Sequence, residues 1–169
     1  MEQPMRTIGI EKMTLNIGTG SPGDKMEKAS KLLIAMTART PVSTATKKRI
    51  PTWGIRPGLE IGTKLTLRGK KAEELLQRLF VAVGNKINRS KFDIFGNFSF
   101  GIHEYINIPE IAYDPTIGII GLEVAVTLKR PGFSIKRRSI QPRSIPTRHK
   151  ITKDEAVIFI QQKFHIEVL

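Results

Sequence analysis

The sequence predicts an α+β fold: a mostly antiparallel sheet with helices packed on one face, an open polar opposite face, and basic loops. Three observations lead there. Several stretches alternate apolar and polar residues, so each has one dry face and one wet face. Others repeat apolar residues at helical spacing between those stretches. The 169 residues, 40% of them hydrophobic, suffice for a single domain that buries roughly 70% of its unfolded surface.

The first strand spans Thr7 to Ile17. Ile8 and Ile10 alternate, the phase slips near Glu11–Lys12, and Met13, Leu15 and Ile17 resume it; a β-bulge explains such a slip. Thr14 and Asn16 then face away from the core. Gly18 to Gly23 breaks the chain, and a helix follows from Asp24 to Ala38 with Met26, Ala29, Leu32, Leu33 and Met36 on one stripe. Pro41 to Thr46 reads as a short strand, and Lys47 to Gly58 as a basic, aromatic-bearing loop. Ile61 to Arg68 alternates again, with Lys64, Thr66 and Arg68 on the wet face. Lys70 to Ile87 carries the strongest helical pattern: Ala72, Leu75, Leu76, Leu79, Val83 and Ile87. Asn88 to Gly96 is a connection.

Asn97 to Ile108 is expected to form one long strand. It points Phe98, Phe100, Ile102, Ile106 and Ile108 inward, and Ser99, His103 and Tyr105 outward. A further strand runs from Ile119 to Lys129. Residues 131–150 hold three prolines and six basic residues with little periodicity, and are expected to be an extended basic arm, mobile without its partner. The last helix starts after Thr152, where Thr152-Lys-Asp-Glu155 forms a capping box, and runs to Phe164.

The charge narrows the function. The chain has 28 Lys+Arg, 15 Asp+Glu and no Cys, which excludes a disulfide scaffold, a thiolate metal site and thiol catalysis. Two stretches, 28–72 and 124–153, hold 20 of the cations and one acid, Glu60. Such segregation is the electrostatic footprint of a polyanion-binding surface. Met1–Arg6 has no apolar run that would serve as a signal peptide. Ile117–Leu128 is too short for the roughly 20 residues of a membrane span, so no membrane partner is expected.

Gly18-Thr-Gly20-Ser-Pro-Gly23 matches the G-x-G-x-x-G spacing of a dinucleotide loop. Yet the following strand offers no acid for a ribose, and Pro22 removes a backbone N–H from the cradle. Glycines for a tight turn, or a backbone contact to an RNA phosphate, are the other readings. His103, His149 and His165 lack metal spacing, and neighbouring strand residues such as His103 and Glu104 point to opposite faces. Neither a catalytic set nor a metal or cofactor is expected. Trp53 follows Lys47-Lys48-Arg49 in the loop with Arg56. It either stacks on a base or ribose or folds back as a hydrophobic plug. The leading function is a structural RNA-binding role, weighed against a nucleotide-dependent enzyme and a free-standing RNA chaperone.

Lys64–Gly69 (KLTLRG), Phe95–Ile111 (FGNFSFGIHEYINIPEI) and Tyr113-Asp114-Pro115 before a Gly-rich strand resemble the universal 5S-rRNA-binding family, large-subunit ribosomal protein five. Leu15-Asn16-Ile17-Gly18, and Thr40-Pro41-Val42 leading into a Lys/Arg cluster, are similar to the same family. The likeness runs from about Met5 to Val168. Arg130-Pro131-Gly132 with the basic segment and the HKITKDEA helix resembles its archaeal/eukaryotic branch. The resemblance implies a non-enzymatic constituent of the cytoplasmic ribosome, sited in the central protuberance, that ties 5S rRNA to the large-subunit rRNA. It implies 5S rRNA contacts from Asn16, Arg39, Thr44, Lys47, Lys48, Thr66 and Arg68. Many bacterial members carry Gln where Arg39 stands, and Arg binds phosphate readily. It further implies that the loop bearing Arg49, Trp53 and Arg56 reaches P-site tRNA. Family partners include a neighbouring 5S-binding ribosomal protein and, across the intersubunit bridge, a small-subunit head protein. The arm cations Lys136, Arg137, Arg138, Arg143 and Arg148 are expected to bind RNA or protein.

Overall fold

The computed structural model describes residues 3–169; the first two residues of the Met1–Arg6 stretch lie outside them. The first strand, β1 (Gly9–Gly18), carries a register shift between Ile10 and Lys12, so the expected bulge is present. Helix α1 (Asp24–Thr37) buries Ala29, Leu32, Leu33 and Met36. Strands β2 (Val42–Ala45) and β3 (Glu60–Leu67) follow, then helix α2 (Lys70–Ala82), which buries Ala72, Leu75, Leu76, Leu79 and Phe80. The short β4 (Lys86–Ile87), then β5 (Phe98–Ile102) and β6 (Leu122–Lys129), precede helix α3 (Lys153–Phe164) and the terminal β7 (Glu167–Val168).

The main sheet is antiparallel throughout, in the order β2-β3-β1-β6-β5. Met13 and Leu15 of β1, Leu65 and Leu67 of β3, Val124 and Val126 of β6, and Phe98 and Phe100 of β5 join the buried faces of all three helices in one core. Phe80 of α2 packs against both Phe98 and Phe100 at ring-centroid distances of 6.2 and 5.4 Å, with Phe164 of α3 edge-on at 5.3 Å. Helices therefore cover one face, as the alternation predicts.

Three expectations need correction. The second helix does not reach Ile87. Gly84 and Asn85 take left-handed φ values of 73° and 55°, and the Asn85 N–H closes on the Phe80 carbonyl, a glycine-type helix stop. Ile87 is buried nonetheless, in β4, which pairs in parallel with β7. The long strand from Asn97 stops at Ile102. Gly121 lies so close beneath the chain there that a Cβ on it would sit 2.8 Å from the His103 carbonyl oxygen. A 3-10 turn over Tyr105–Asn107 follows. Tyr105, expected on the wet face, is 0% exposed, and its hydroxyl accepts the Asp114 N–H at 3.1 Å; Ile106, expected inward, is exposed.

The third correction concerns residues 131–150, which do not extend from the body. Turns at Phe133–Lys136 and Thr147–His149 fold the segment back. The Arg143 N–H donates to the Ile135 carbonyl, and Arg138 Nε donates to the Gln141 carbonyl at 2.7 Å. Its anchor is Arg130, only 5% exposed. That guanidinium donates to the carbonyls of His149 and Lys150 and, at 2.7 Å, to the Glu155 carboxylate. Prolines and like charges suggest extension from sequence alone, but a forked guanidinium that ties the two ends of the loop together overrides them.

Glu155 also completes the capping box: it accepts from the Thr152 N–H at 2.9 Å, and Thr152 Oγ1 accepts from the Glu155 N–H. Burial raises the Glu155 pKa, but the Thr152 and Arg130 hydrogen bonds outweigh it and hold the carboxyl below its ordinary value. Thr152→Ala removes only the cap and should cost about 1 kcal/mol. Glu155→Ala also strands Arg130 and should cost about 2–3 kcal/mol, below the range for a fully buried pair because Glu155 is 37% exposed. Chemical denaturation of both variants checks this; equal losses would show that the Arg130 contact stabilises nothing.

Candidate nucleic-acid interface

Cross-strand neighbours in a sheet point to the same side, so register places the face opposite the helices. Gly62 of β3 pairs with Thr44 of β2 and Gly18 of β1; Lys64 pairs with Val42 and Asn16; Thr66 pairs with Thr14. Across β6, Asn16 meets Glu123, which meets Gly101; Thr14 meets Ala125, which meets Ser99. Lys64, Thr66 and Ser99 are exposed, and Asn16, Thr14 and Thr44 are half-buried. Thr44, Lys64, Asn16 and Thr66 therefore stand together on three adjacent strands. A Cβ on Gly62 would sit 2.8 Å from the Ile17 carbonyl oxygen and 3.0 Å from Thr44 Oγ1, so its glycine keeps the surface low between these donors. His103 does not join them; it lies beyond the end of β5.

The β2–β3 connection is a built projection. The Thr46 N–H donates to the Leu59 carbonyl and the Gly58 N–H to the Thr46 carbonyl, closing its base. Ile50 and Ile55 exchange two N–H···O bonds of 3.0 and 3.1 Å around the turn Pro51–Trp53, and Ile55 is buried. Arg49, Trp53 and Arg56 are left at the surface with Lys47 and Lys48. Trp53 is 73% exposed, which removes the plug reading and leaves a free indole face beside cations. Arg39, just past the left-handed Ala38 that ends α1, is also exposed.

The cations divide into two groups. Arg68, Lys129 and Arg137, from three separate segments, all pair with Glu11, the residue left unpaired by the bulge. Lys129 Nζ and Arg137 donate at 3.1 and 2.6 Å. Glu11 is 7% exposed. Burial raises its pKa, but hydrogen bonds from Lys129 and Arg68 and the charges of Lys129 and Arg137 prevail, holding the carboxyl below the ordinary value. Arg68 and Arg137 thus share their charge with an internal acid. By contrast, Arg39, Lys47, Lys48, Arg49, Arg56 and Lys64 form no ion pair among the described residues, and neither do Lys136, Arg138, Arg143 or Arg148. Glu11 was not singled out from sequence, although the slip at Glu11–Lys12 marked its position.

The glycine motif after β1 does not form a nucleotide cradle. The Thr19 and Gly20 N–H groups both donate to the Ile61 carbonyl, at 2.9 and 3.1 Å. The neighbours of β1 are β3 and β6, both antiparallel, whereas a dinucleotide fold needs a parallel partner. The glycines serve a tight turn, with Gly20 and Gly23 at φ values of 70° and 102°. Among the described residues, no group of three acids and histidines could hold a metal ion, and no helix is long and apolar enough to cross a membrane.

Family models match in two consecutive segments: one described as ribosomal protein L5 over residues 3–56, and one for the C-terminus of the same ribosomal family over residues 60–159. A large ribosomal subunit protein uL5 from Sulfurisphaera tokodaii is 48% identical over 98% of this chain and 94% of its own length. One from Nanoarchaeum equitans is 48% identical over 100% of both chains. One from Methanococcus vannielii is 43% identical over 99% of this chain and 94% of its own. These relatives are archaeal, consistent with the branch that the Arg130-Pro131-Gly132 segment resembles.

Because the folded pKa of Glu11 is depressed, its ion pairs stabilise the native state fully above the ordinary value of 4.5. That contribution is lost as pH falls through the lower folded pKa. Glu11→Gln should therefore cost about 1–2 kcal/mol at neutral pH, a figure moderated by the half-exposed partners. The gap to wild type should close under acid. Denaturation curves across a pH series measure it; a gap that ignores pH would detach the site from charge.

Proposed function

Because the chain belongs to the ribosomal protein L5 family, we propose that the β2-β3-β1 edge of its sheet binds 5S rRNA and helps to attach that RNA to the large-subunit rRNA in the central protuberance. The chain is a structural constituent of the large ribosomal subunit in the cytoplasmic ribosome, and not an enzyme. Asn16, Thr44 and Thr66 supply neutral hydrogen-bonding groups for sugars and base edges, while Arg39, Lys47, Lys48 and Arg68 supply phosphate contacts. One observation carries this reading: the cations at this edge, Arg68 apart, have no acid partner among the described residues, so their charge is free for phosphate. Each phosphate neutralised releases counterions, the main source of affinity in such complexes.

The projection between β2 and β3 is assigned to P-site tRNA. Trp53 stands clear of the body, flanked by Arg49 and Arg56, and presents a stacking surface with cations on either side. The remaining partners expected of the family, a neighbouring 5S-binding ribosomal protein and a small-subunit head protein across the intersubunit bridge, belong to the same proposal. The arm cations Lys136, Arg138, Arg143 and Arg148 are further candidates for large-subunit rRNA, whereas Arg137 is partly neutralised by Glu11.

Two measurements test this division. The salt dependence of 5S rRNA affinity should be steep. Lys47→Ala/Lys48→Ala should reduce its slope by up to about 2, at about 0.9 for each phosphate left without its lysine; an unchanged slope would remove both lysines from the interface. Trp53→Ala should weaken protection of P-site tRNA in large-subunit footprinting by about 1–3 kcal/mol, the value of one stacked base. It should leave 5S rRNA affinity as in wild type. Loss of 5S rRNA binding instead would place Trp53 on the other interface.

A further inference from the structure

The C-terminal end of β6 and the folded-back 131–150 segment line an open cavity of about 230 Å³. Phe95, Phe133 and Ile145 form apolar wall, Lys136 and Lys150 stand among the lining residues, and none of the lining residues is acidic. Each ring has a cation against it: Lys150 Nζ lies 4.6 Å from the Phe95 centroid, and the Arg137 guanidinium 5.2 Å from that of Phe133. Phe95 is substantially exposed although a large apolar ring gains from burial. Arg130 lines the same cavity, with its guanidinium already held by the His149 and Lys150 carbonyls and the Glu155 carboxylate.

We propose that this cavity holds a single unstacked nucleotide of ribosomal RNA. The base packs against Phe95 and Phe133, and the phosphates on either side meet Lys136 and Lys150. The chemistry selects this occupant. Aromatic walls suit a flat π-system, and an acid-free cationic rim suits its phosphates. An acidic protein segment would satisfy the rim but leave the rings without a stacking partner. The inference rests on the reading of the chain as an RNA-binding protein and adds a second, separate contact point to it.

The test is ultraviolet crosslinking of intact large subunits that carry the full chain, with adducts mapped by mass spectrometry. Nucleotide adducts are expected on Phe95 or Phe133. Phe95→Leu and Phe133→Leu, which keep apolar bulk but remove the rings, should lose them while leaving adducts at the β2-β3-β1 edge and its projection unchanged. Adducts at that edge with none on Phe95 or Phe133 overturn this proposal and leave the broader RNA-binding reading standing. Absence of adducts from both regions counts against both. A lysine-reactive crosslink from Lys136 or Lys150 to a protein neighbour, without a nucleotide adduct on either ring, assigns the cavity to a protein and also overturns the proposal.

Discussion

Strand β1 lies third of five, so its register constrains both sides of the sheet at once. Met13, Leu15 and Ile17 face the helices, and Thr14 and Asn16 face away, only because a single extra residue resets the phase after Ile10. A one-residue slip in a strand exchanges its two faces. Without the bulge, either Ile10 or the whole Met13–Ile17 set would lie on the wrong side. The residue that absorbs the slip is Glu11, and the bulge carries its carboxylate into a nearly buried position that three cations converge upon. Strand pairing, core and charge distribution thus meet at one backbone irregularity.

That arrangement sorts the cations of a very basic chain. An exposed ion pair contributes little to stability, whereas a buried carboxylate must be neutralised. Glu11 ties together the end of β3, the end of β6 and the folded-back segment, and Arg130 plays a similar part with Glu155 and two carbonyls. A few cations thereby hold the protein's own basic end together. The β2–β3 projection and its surroundings keep their charge uncompensated among the described residues. The same total charge spread evenly would give a more soluble surface but no directional one.

Much of this was legible in the sequence where the signal was local. The bulge followed from a phase slip within ten residues, and the start of α3 from the Thr152–Glu155 pair, whose reciprocal hydrogen bonds are present. Features set by distant segments were not legible. Ile106 and Ile108 continue the alternation of β5, so nothing local reveals that the strand stops at Ile102, where the chain passes against Gly121, next to another strand. Pro131, Pro142 and Pro146 among six cations look like a chain that cannot fold on itself, because Arg130 and Glu155 lie outside that segment. Among the expected site residues, Asn16, Thr44 and Thr66 come together because strand alternation carries them. Arg68 and Arg137 turn out to share a buried acid that periodicity alone does not connect with either of them.

The small parallel pair of β4 and β7 bears on how such a chain is made. Lys86 and Ile87 find their partners only at Glu167 and Val168, and the Arg89 N–H donates to the carbonyl of Leu169. Contacts this far apart in sequence form late, since a long loop must close before they yield anything. The five-strand sheet has all its strands by Lys129, whereas the connection leaving α2 takes its strand partner from residues 167–169. Residues 86–89 are therefore held by a segment distant in sequence, and loss of residues 167–169 should loosen a region whose own sequence is untouched.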